Sequence, residues 1–459
     1  MFQRKGRIVG SRNRQPPGAA RHVAVIGSGI SGLSAAWLLG KTTKVTLYES
    51  EPRLGGHAHT VTVAAGDTQI PVDTGFIVYN ERNYPNLTAL FDTLRVETMA
   101  SDMSFAASLR DGSLEYSGTG LNGLIGQRGN IVRPRFWRML ADIMRFYREA
   151  PPLLAINDQE GVTLGAYLDQ NGYSDAFVED HLLPMGAAIW SATLGDIRAY
   201  PLKAFVRFFA SHGLLNLTDR PQWRTVRGGA REYVRRLTED LPAEIRAGAK
   251  VVCVKREQEG VSITDASGET RSFTDVVIAA HACDALGMLA DPDESERRLL
   301  GAFRYTMNEA VLHADERLMP RRKRVWSSWN YIDGDGTDGS RSLCVTYWMN
   351  RLQSLDPRHP LFVTLNPVRP VEERKVIRRF TYSHPVFDGK ALAAQADLWS
   401  LQGRRRTWYC GAYFGYGFHE DGLEAGLAAA EHLAGVKRPW HVGNAASRIV
   451  RPQGLEAAE

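Results

Sequence analysis

The sequence predicts an α/β protein in which a Rossmann-type nucleotide-binding domain is interleaved with a second domain of mixed sheet plus helices. Three observations carry this prediction. A short apolar run, His22–Ile26, leads into Gly27-Ser28-Gly29-Ile30-Ser31-Gly32 and then a helical stretch, Leu33–Leu39. A second apolar run, Lys44–Tyr48, ends on Glu49. Strand-and-glycine features recur in the middle and at the end of the chain, with helical and aromatic segments between them. At about 100–200 residues per domain, 459 residues make two or three domains.

The first element is a basic arm, residues 1–20, expected to be disordered. Six of the 56 bases (Arg4, Lys5, Arg7, Arg12, Arg14, Arg21) lie in residues 1–22, which hold no acid. The rest of the chain then has 50 bases against 51 acids, so the net charge of +5 belongs to the arm. A nucleic-acid footprint on the body is therefore not expected. The arm lacks the apolar core of a secretory signal. It reads either as a disordered leader, an organelle transit segment, or a contact with anionic lipid. No uninterrupted apolar run reaches the roughly 18 residues of a membrane span. Cys253, Cys283, Cys344 and Cys410 lie far apart without metal-ligand spacing, so no metal is expected. Free thiols point to a reducing compartment and a cytoplasmic location.

The βαβ unit comes next. Gly27 makes the tight turn after the strand, Gly29 lets the backbone approach a pyrophosphate, and Gly32 lets helix and strand pack closely. The helix N-terminus offers free N–H groups and a partial positive charge to phosphates. Glu49, 22 residues beyond Gly27, can accept hydrogen bonds from ribose hydroxyls. Arg53-Leu54-Gly55-Gly56-His57 follows, bringing a second backbone loop and a cation toward the diphosphate. Residues 130–150 and 177–216 read as long helices with one apolar side. Residues 250–280 alternate like a meander, with turns at Glu259-Gly260 and Ser267-Gly268. Val325–Tyr331, Ser342–Met349, Leu361–Leu365 and Thr407–Tyr413 are strand candidates. A small-residue helix, Leu423–Leu433, closes the series.

With its glycine motif, acid and Arg-x-Gly-Gly, the chain resembles the flavin amine-oxidase and phytoene-desaturase group of FAD enzymes. Pro71-Val72-Asp73-Thr74-Gly75-Phe76 is similar to the segment that passes the isoalloxazine in that group. Thr225–Gly229 with Lys250–Cys253 is similar to the helix and strand that meet the adenine. Tyr409–Ala412 and Phe418–Gly426 resemble the C-terminal FAD motif, in which a helix N-terminus faces the flavin. The resemblance implies an amine-oxidase-like fold and noncovalent FAD held by Gly27, Ser28, Gly29, Ile30, Ser31, Gly32, Glu49, Ser50, Arg53, Gly55, Gly56, His57, Thr74, Gly75, Phe76, Val252, Gly411, Asp421, Gly422 and Leu423. Ala412 stands where the group often has an acid, which removes one expected hydrogen bond. No second GxGxxG follows a strand, so an NAD(P)H domain is not expected.

Within the group, the chain is similar to a bacterial branch with RLGGHxHT, PVDTGFIVYN, IWS, SWNY, YWMN, LNP and GFHEDG. These are here Arg53–Thr60, Pro71–Asn80, Ile189–Ser191, Ser328–Tyr331, Tyr347–Asn350, Leu365–Pro367 and Gly417–Gly422. That branch is associated with cyclopropane-fatty-acid-synthase-like methyltransferases and, in some members, with desaturation of methyl-branched acyl chains of phospholipids. This implies a lipid substrate, a methyltransferase partner and peripheral contact with an anionic membrane at its inner face. His419 takes the place of an aromatic residue that flanks the substrate amine in amine oxidases. Histidine near neutral pH exchanges protons, so it is the catalytic candidate; its alternative is to hydrogen-bond a turn. Asp421 also reads as a helix cap. Phe205, Phe209, Trp329, Tyr331 and Tyr347 are candidate walls of an apolar pocket, although such aromatics are more often core.

The expected division is 21–88, 218–290 and 401–437 for the FAD domain, and 89–217 and 291–400 for the substrate domain. Residues 438–459 form a tail. The expected activity is desaturation of a hydrophobic substrate by hydride transfer to flavin. The alternatives are an amine oxidase producing peroxide, an FAD-binding non-catalytic partner of a methyltransferase, and an isomerase without net oxidation.

Overall fold

The computed structural model describes residues 21–118, 120–155, 161–334, 344–443 and 448–450. The arm at 1–20, Ser342–Leu343 and most of the C-terminal tail lie outside the described residues. Five strands form one parallel sheet: β1 (His22–Ile26), β2 (Lys44–Tyr48), β3 (Glu244–Arg246), β4 (Asp275–Ile278) and β5 (Thr407–Tyr409). Their spatial order is β3-β2-β1-β4-β5, the strands coming from the start, middle and end of the chain. Each of β1, β2 and β4 is almost wholly buried, as a sheet covered on both faces requires.

Six helices matter for the site: α1 (Ile30–Leu39), α2 (Pro85–Thr93), α3 (Pro134–Glu149), α4 (Leu202–Ser211), α5 (Arg231–Glu239) and α6 (His419–Ala434). Every residue of α1 is buried, because α1 lies between the parallel sheet and α6. Small residues make that approach close. A Cβ on Gly426 would stand 2.1 Å from the Ser31 carbonyl oxygen.

The predicted meander is present as Val251–Arg256, Val261–Asp265 and Thr270–Phe273, paired antiparallel. A seven-stranded mixed sheet forms the second layer system. It draws Phe105–Leu109 and Leu114–Ser117 from early in the chain and five strands from residues 304–386. Its pairs are antiparallel except for Trp329–Ile332 against Phe105–Leu109.

Several predicted boundaries move, and the strand expected at Thr407–Tyr413 ends at Tyr409, Ala412–Phe414 forming a tight helical turn. The stretch 177–216 is mostly helical, but in pieces: Ser191, at φ 51, ends one segment, and Pro201 caps the start of α4 after a short capped turn of helix. The strand expected at Val325–Tyr331 begins at Trp329, because Ser327 N–H is taken by the Asn330 side chain. The last helix starts at His419, four residues earlier than expected. Asp421 sits at its third position and accepts from Phe418 N–H (2.8 Å), which fixes the first turn.

Candidate functional site

The glycine loop, Glu49, Ala279 and Gly411 all follow strands at the C-terminal edge of the parallel sheet, where α/β sheets bind ligands. The three glycines of the loop differ in a way that bears on a cofactor. A Cβ on Gly27 would lie 2.5 Å from Ala279 O, and one on Gly32 1.8 Å from Gly27 O. These two are needed for the fold itself. A Cβ on Gly29 would meet no protein atom within 4 Å. Gly29 therefore borders open space at the N-terminus of α1, where unpaired N–H groups collect. Ile30 and Ser31 form the first turn there, both buried.

Glu49 is buried, and its carboxylate accepts from Ser28 N–H (2.8 Å), Ser28 Oγ–H (2.5 Å), Ser50 Oγ–H (3.0 Å) and Glu51 N–H (2.9 Å). Four donors occupy its lone-pair directions. A ribose hydroxyl would take the place of the Ser28 or Ser50 hydroxyl, either of which can rotate away. The second loop lies directly on the first. Gly55 N–H donates to Ser28 O (3.0 Å), and a Cβ on Gly56 would stand 3.1 Å from Gly29 Cα. Both glycines have positive φ. The Arg53 guanidinium donates to Gly56 O (2.8 Å) and bridges Glu51 (3.3 Å), which fixes the loop.

His57 leads from this loop to the interior. Its Nε2 is buried without a protein partner, and its ring lies near Tyr382 (5.2 Å) and His384 (5.6 Å). Burial, then the neighbouring His384, lowers its pKa to about 3. His384 is likewise lowered by burial to about 4. Both imidazoles are thus held toward the neutral form, and His57 Nε2 is a buried polar atom without a protein partner. Gly75 passes so near that its Cβ would lie 2.2 Å from His57 O. Thr74 Oγ1 shares a hydrogen bond with Tyr382 OH (2.7 Å). Asp73 ties the segment to its surroundings, accepting from Thr60 Oγ–H (2.5 Å), Ala230 N–H (2.9 Å) and Gln353 Nε2–H (2.9 Å).

Val252 is exposed, but it is the bulged residue between the Val251 and Cys253 pairs. Its backbone is thus left out of the ladder. Gly411 is extended and faces the Tyr413 ring, 2.5 Å from where a Cβ would be. Gly422 touches α1, a Cβ there coming 2.9 Å from Ser31 Oγ. The N-termini of α1 and α6 therefore converge. Leu423 is fully buried between them, so its side chain is core. The Asp421 carboxylate is spent on Phe418 N–H and on Arg448 (3.1 Å).

His419 differs from its expected character. Its ring stacks on Phe76 (3.8 Å, 12°), and its Nε2 hydrogen-bonds Tyr233 OH (2.8 Å). Desolvation lowers its pKa to about 3. It is a neutral imidazole held by two other segments, not a group that titrates near pH 7. The pocket candidates also change. Phe205 and Phe209 stack on each other (4.1 Å) and are fully buried with Trp190, and Tyr331 is fully buried too. These three are core, because the sheet and helices close over them. Tyr347 is buried against Trp329 (5.0 Å), whose ring is part-exposed while its Nε1 is buried without a protein partner. Phe208 is buried as well; it stacks on His212 (3.9 Å, 24°) and on Phe418 (5.0 Å, 20°), the residue before His419.

The profile of flavin-containing amine oxidoreductases matches residues 30–357. This chain belongs to that family. Its cofactor is FAD, and the family chain is an FAD-dependent oxidoreductase. The residues present fit FAD: an open backbone approach at Gly29, converging helix N-termini, and an unpartnered buried Nε2 on His57. No curated protein sequence matches the chain. Among solved structures it is similar to cyclohexylamine oxidase from Brevibacterium oxydans IH-35A (15% identity, 91% and 99% of the two chains, TM-score 0.64). It is also similar to a putative protoporphyrinogen oxidase from Exiguobacterium sp. 255-15 (15%, 90% and 99%, 0.65). A third is a CLA-producing fatty acid isomerase from P. acnes (16%, 90% and 98%, 0.62). At these identities the likeness is one of fold. Among the described residues no helix is long and apolar enough to cross a membrane.

Sequence reasoning missed Tyr233, Tyr382 and His384, and the partners of Glu420. Glu420 caps α2 from 334 residues away, accepting from Asn86 N–H (2.8 Å), Asn86 Nδ2–H (2.9 Å) and Leu87 N–H (2.9 Å). None of these pairings has a local sequence signal.

Proposed function

We propose that this FAD-dependent oxidoreductase desaturates a hydrophobic substrate, a methyl-branched or otherwise modified fatty-acyl chain carried on phospholipid. The observation that carries the reading is the aromatic packing next to His419 in the chain, where Phe208 of α4 stacks on Phe418. The acids at the start of the same helix are turned into the protein: Glu420 caps α2, and Asp421 holds Phe418 and Arg448. They leave no free carboxylate for an ammonium group. A fatty acid isomerase shares the fold, which supports the same substrate class. A methyltransferase that supplies the methylated chain is the partner this reading calls for.

Bound FAD supplies a two-electron acceptor. The Gly29 approach and the N-terminus of α1 would hold its phosphates, Glu49 and Ser50 its ribose, and the N-terminus of α6 would face the flavin. His419 and Phe76 form one flat wall, and Tyr233 fixes the imidazole by its hydroxyl. For His419 to take a proton from substrate, Nε2–H must donate to Tyr233, leaving the lone pair on Nδ1. The apolar wall excludes water from that exchange.

The test mixes holoenzyme anaerobically with phospholipids bearing methyl-branched, unsaturated or cyclopropane chains and follows flavin absorbance and acyl mass. Bleaching with loss of two mass units is expected. Bleaching by amines instead would establish an amine oxidase, unchanged product mass an isomerase, and no response a non-catalytic FAD protein. His419→Phe keeps the stack on Phe76 but removes both nitrogens. Unchanged single-turnover reduction in that variant would remove His419 from the chemistry.

A further inference from the structure

Ten large apolar side chains are exposed among the described residues, and four of them fall within 14 residues: Ile131, Val132, Trp137 and Met144. Val132 is 82% exposed. α3 buries Phe136, Met139 and Phe146 and presents Trp137, Arg138, Ala141, Met144 and Arg148 on the opposite face. From Trp137 or Arg138 onward these positions recur every three or four residues, so they make one stripe. Trp137 Nε1–H donates to Ile131 O (2.7 Å), which folds the indole onto the preceding turn, Arg128–Val132. Turn and helix thus offer one continuous apolar surface.

Its charge is one-sided. Residues 128–148 contain six arginines and one acid, Asp142, whose carboxylate is engaged by Ser174 N–H and Oγ–H. Arg135 and Arg145 are paired with Asp180 and Glu149. Among the described residues Arg128, Arg133 and Arg138 have no carboxylate partner. Arg324 extends the basic rim, its Cγ lying 3.5 Å from where a Gly126 Cβ would be.

We infer that this face of α3 and its leading turn seats the protein on the surface of an anionic phospholipid bilayer. An interfacial Trp, aliphatic side chains and unpaired arginines match a surface that is anionic outside and hydrocarbon beneath. A second copy of the chain, docked face to face, would set unpaired arginines against each other. A nucleic-acid backbone would leave Ile131, Val132 and Met144 unused. The position serves the proposed reaction: α3 rests on Pro151–Ala155, which packs on α4, and α4 carries Phe208 to Phe418. The inference rests on the proposed function for its purpose, not for its test.

The test is sedimentation of full-length holoenzyme with phosphatidylcholine vesicles, with and without phosphatidylglycerol. Wild type should bind only where phosphatidylglycerol is present. The variant Val132→Glu/Trp137→Glu/Met144→Glu should lose at least about tenfold in vesicle affinity, with flavin absorbance and unfolding temperature unchanged. A chain lacking residues 1–20 should retain most of its binding. Equal binding by the triple variant, or loss on removing residues 1–20 alone, would overturn the inference. So would a dimer that the triple substitution turns into monomers without change in vesicle binding. If vesicle binding follows the expectation while no lipid bleaches the flavin, this inference stands and the proposed reaction falls.

Discussion

The open space at Gly29 makes a prediction in which two neighbouring glycines behave in opposite ways. Gly29 has φ −63 and ψ 175, a conformation any L residue adopts, and a Cβ there meets nothing. Gly29→Ala should therefore leave the FAD-free protein as stable as wild type, or about 0.4–1 kcal/mol more stable through a stiffer unfolded chain. The new methyl group stands where the pyrophosphate must approach the backbone. Overpacking of that kind costs about 1–3 kcal/mol, which weakens FAD binding by about 5- to 150-fold. Gly32→Ala should do the reverse damage. Its Cβ would stand 1.8 Å from Gly27 O and 3.1 Å from Ala279 Cβ, so α1 must lift from the sheet and the apo fold loses more than about 3 kcal/mol. Thermal unfolding of the apo proteins and FAD titration by flavin fluorescence measure both quantities. Wild-type FAD affinity in Gly29→Ala, or wild-type stability in Gly32→Ala, would refute the assignment of the loop.

Three further outcomes follow from buried groups. Arg256 and Glu296 are both almost fully buried and paired at 2.5 Å, so Arg256→Ala strands a carboxylate and should cost about 3–5 kcal/mol in urea unfolding; Arg235→Ala, at an exposed pair with Glu239, should leave the midpoint unchanged. His57, His212 and His419 are lowered to about 3, and His59, His181, His313 and His384 to about 4, all mainly by burial. Below about pH 6.5 the unfolded chain binds protons that the fold refuses, so the histidine contribution to apo stability should be full above that pH and be lost as pH drops toward 3. Asp73, raised to about 7, and Glu424, raised to about 9, act oppositely and should give a shallower loss as pH rises. A melt series across pH checks both limbs, and His57→Gln with His384→Gln should flatten the acid one. Finally, Cys410 is buried and its thiol pushed up by burial, so FAD should be noncovalent and acid precipitation should leave a white pellet under a yellow supernatant.

The parts of the site legible in the sequence are those built from neighbouring residues. A glycine that must touch its own turn, as Gly32 touches Gly27, leaves a mark at fixed spacing, and so does an acid at the end of the next strand. The same holds for Gly75, set against His57 O by a segment of recognisable pattern. The aromatic wall was not legible, because a stripe of phenylalanines at helical spacing serves equally for core and for cavity. Phe205, Phe208 and Phe209 are all buried, and of the three Phe208 is the one that stacks on Phe418. The start of α6 is illegible for a related reason. Asp421 reads as a helix cap, and its carboxylate does act on Phe418 N–H, but from inside the first turn.

The largest gap concerns His419, and it shows what kind of information a single sequence lacks. Residue type alone makes a histidine a proton carrier near pH 7. Here Phe76, from the segment after the second glycine loop, covers its face, and Tyr233, from α5, holds its Nε2. Those two residues lie 343 and 186 positions away, and neither belongs to a motif that mentions histidine. Burial lowers the pKa to about 3, against the charged form. Any proton that His419 accepts must therefore be paid for by the reaction itself. If it acts as a base, flavin reduction should show no pH break near 6.5, and Phe76→Ala or Tyr233→Phe, by admitting water to the ring, should bring that break into the accessible range. A wild-type profile that already bends near pH 6.5 would mean that the ring is solvated when FAD is bound and that its isolation here does not persist in the working enzyme.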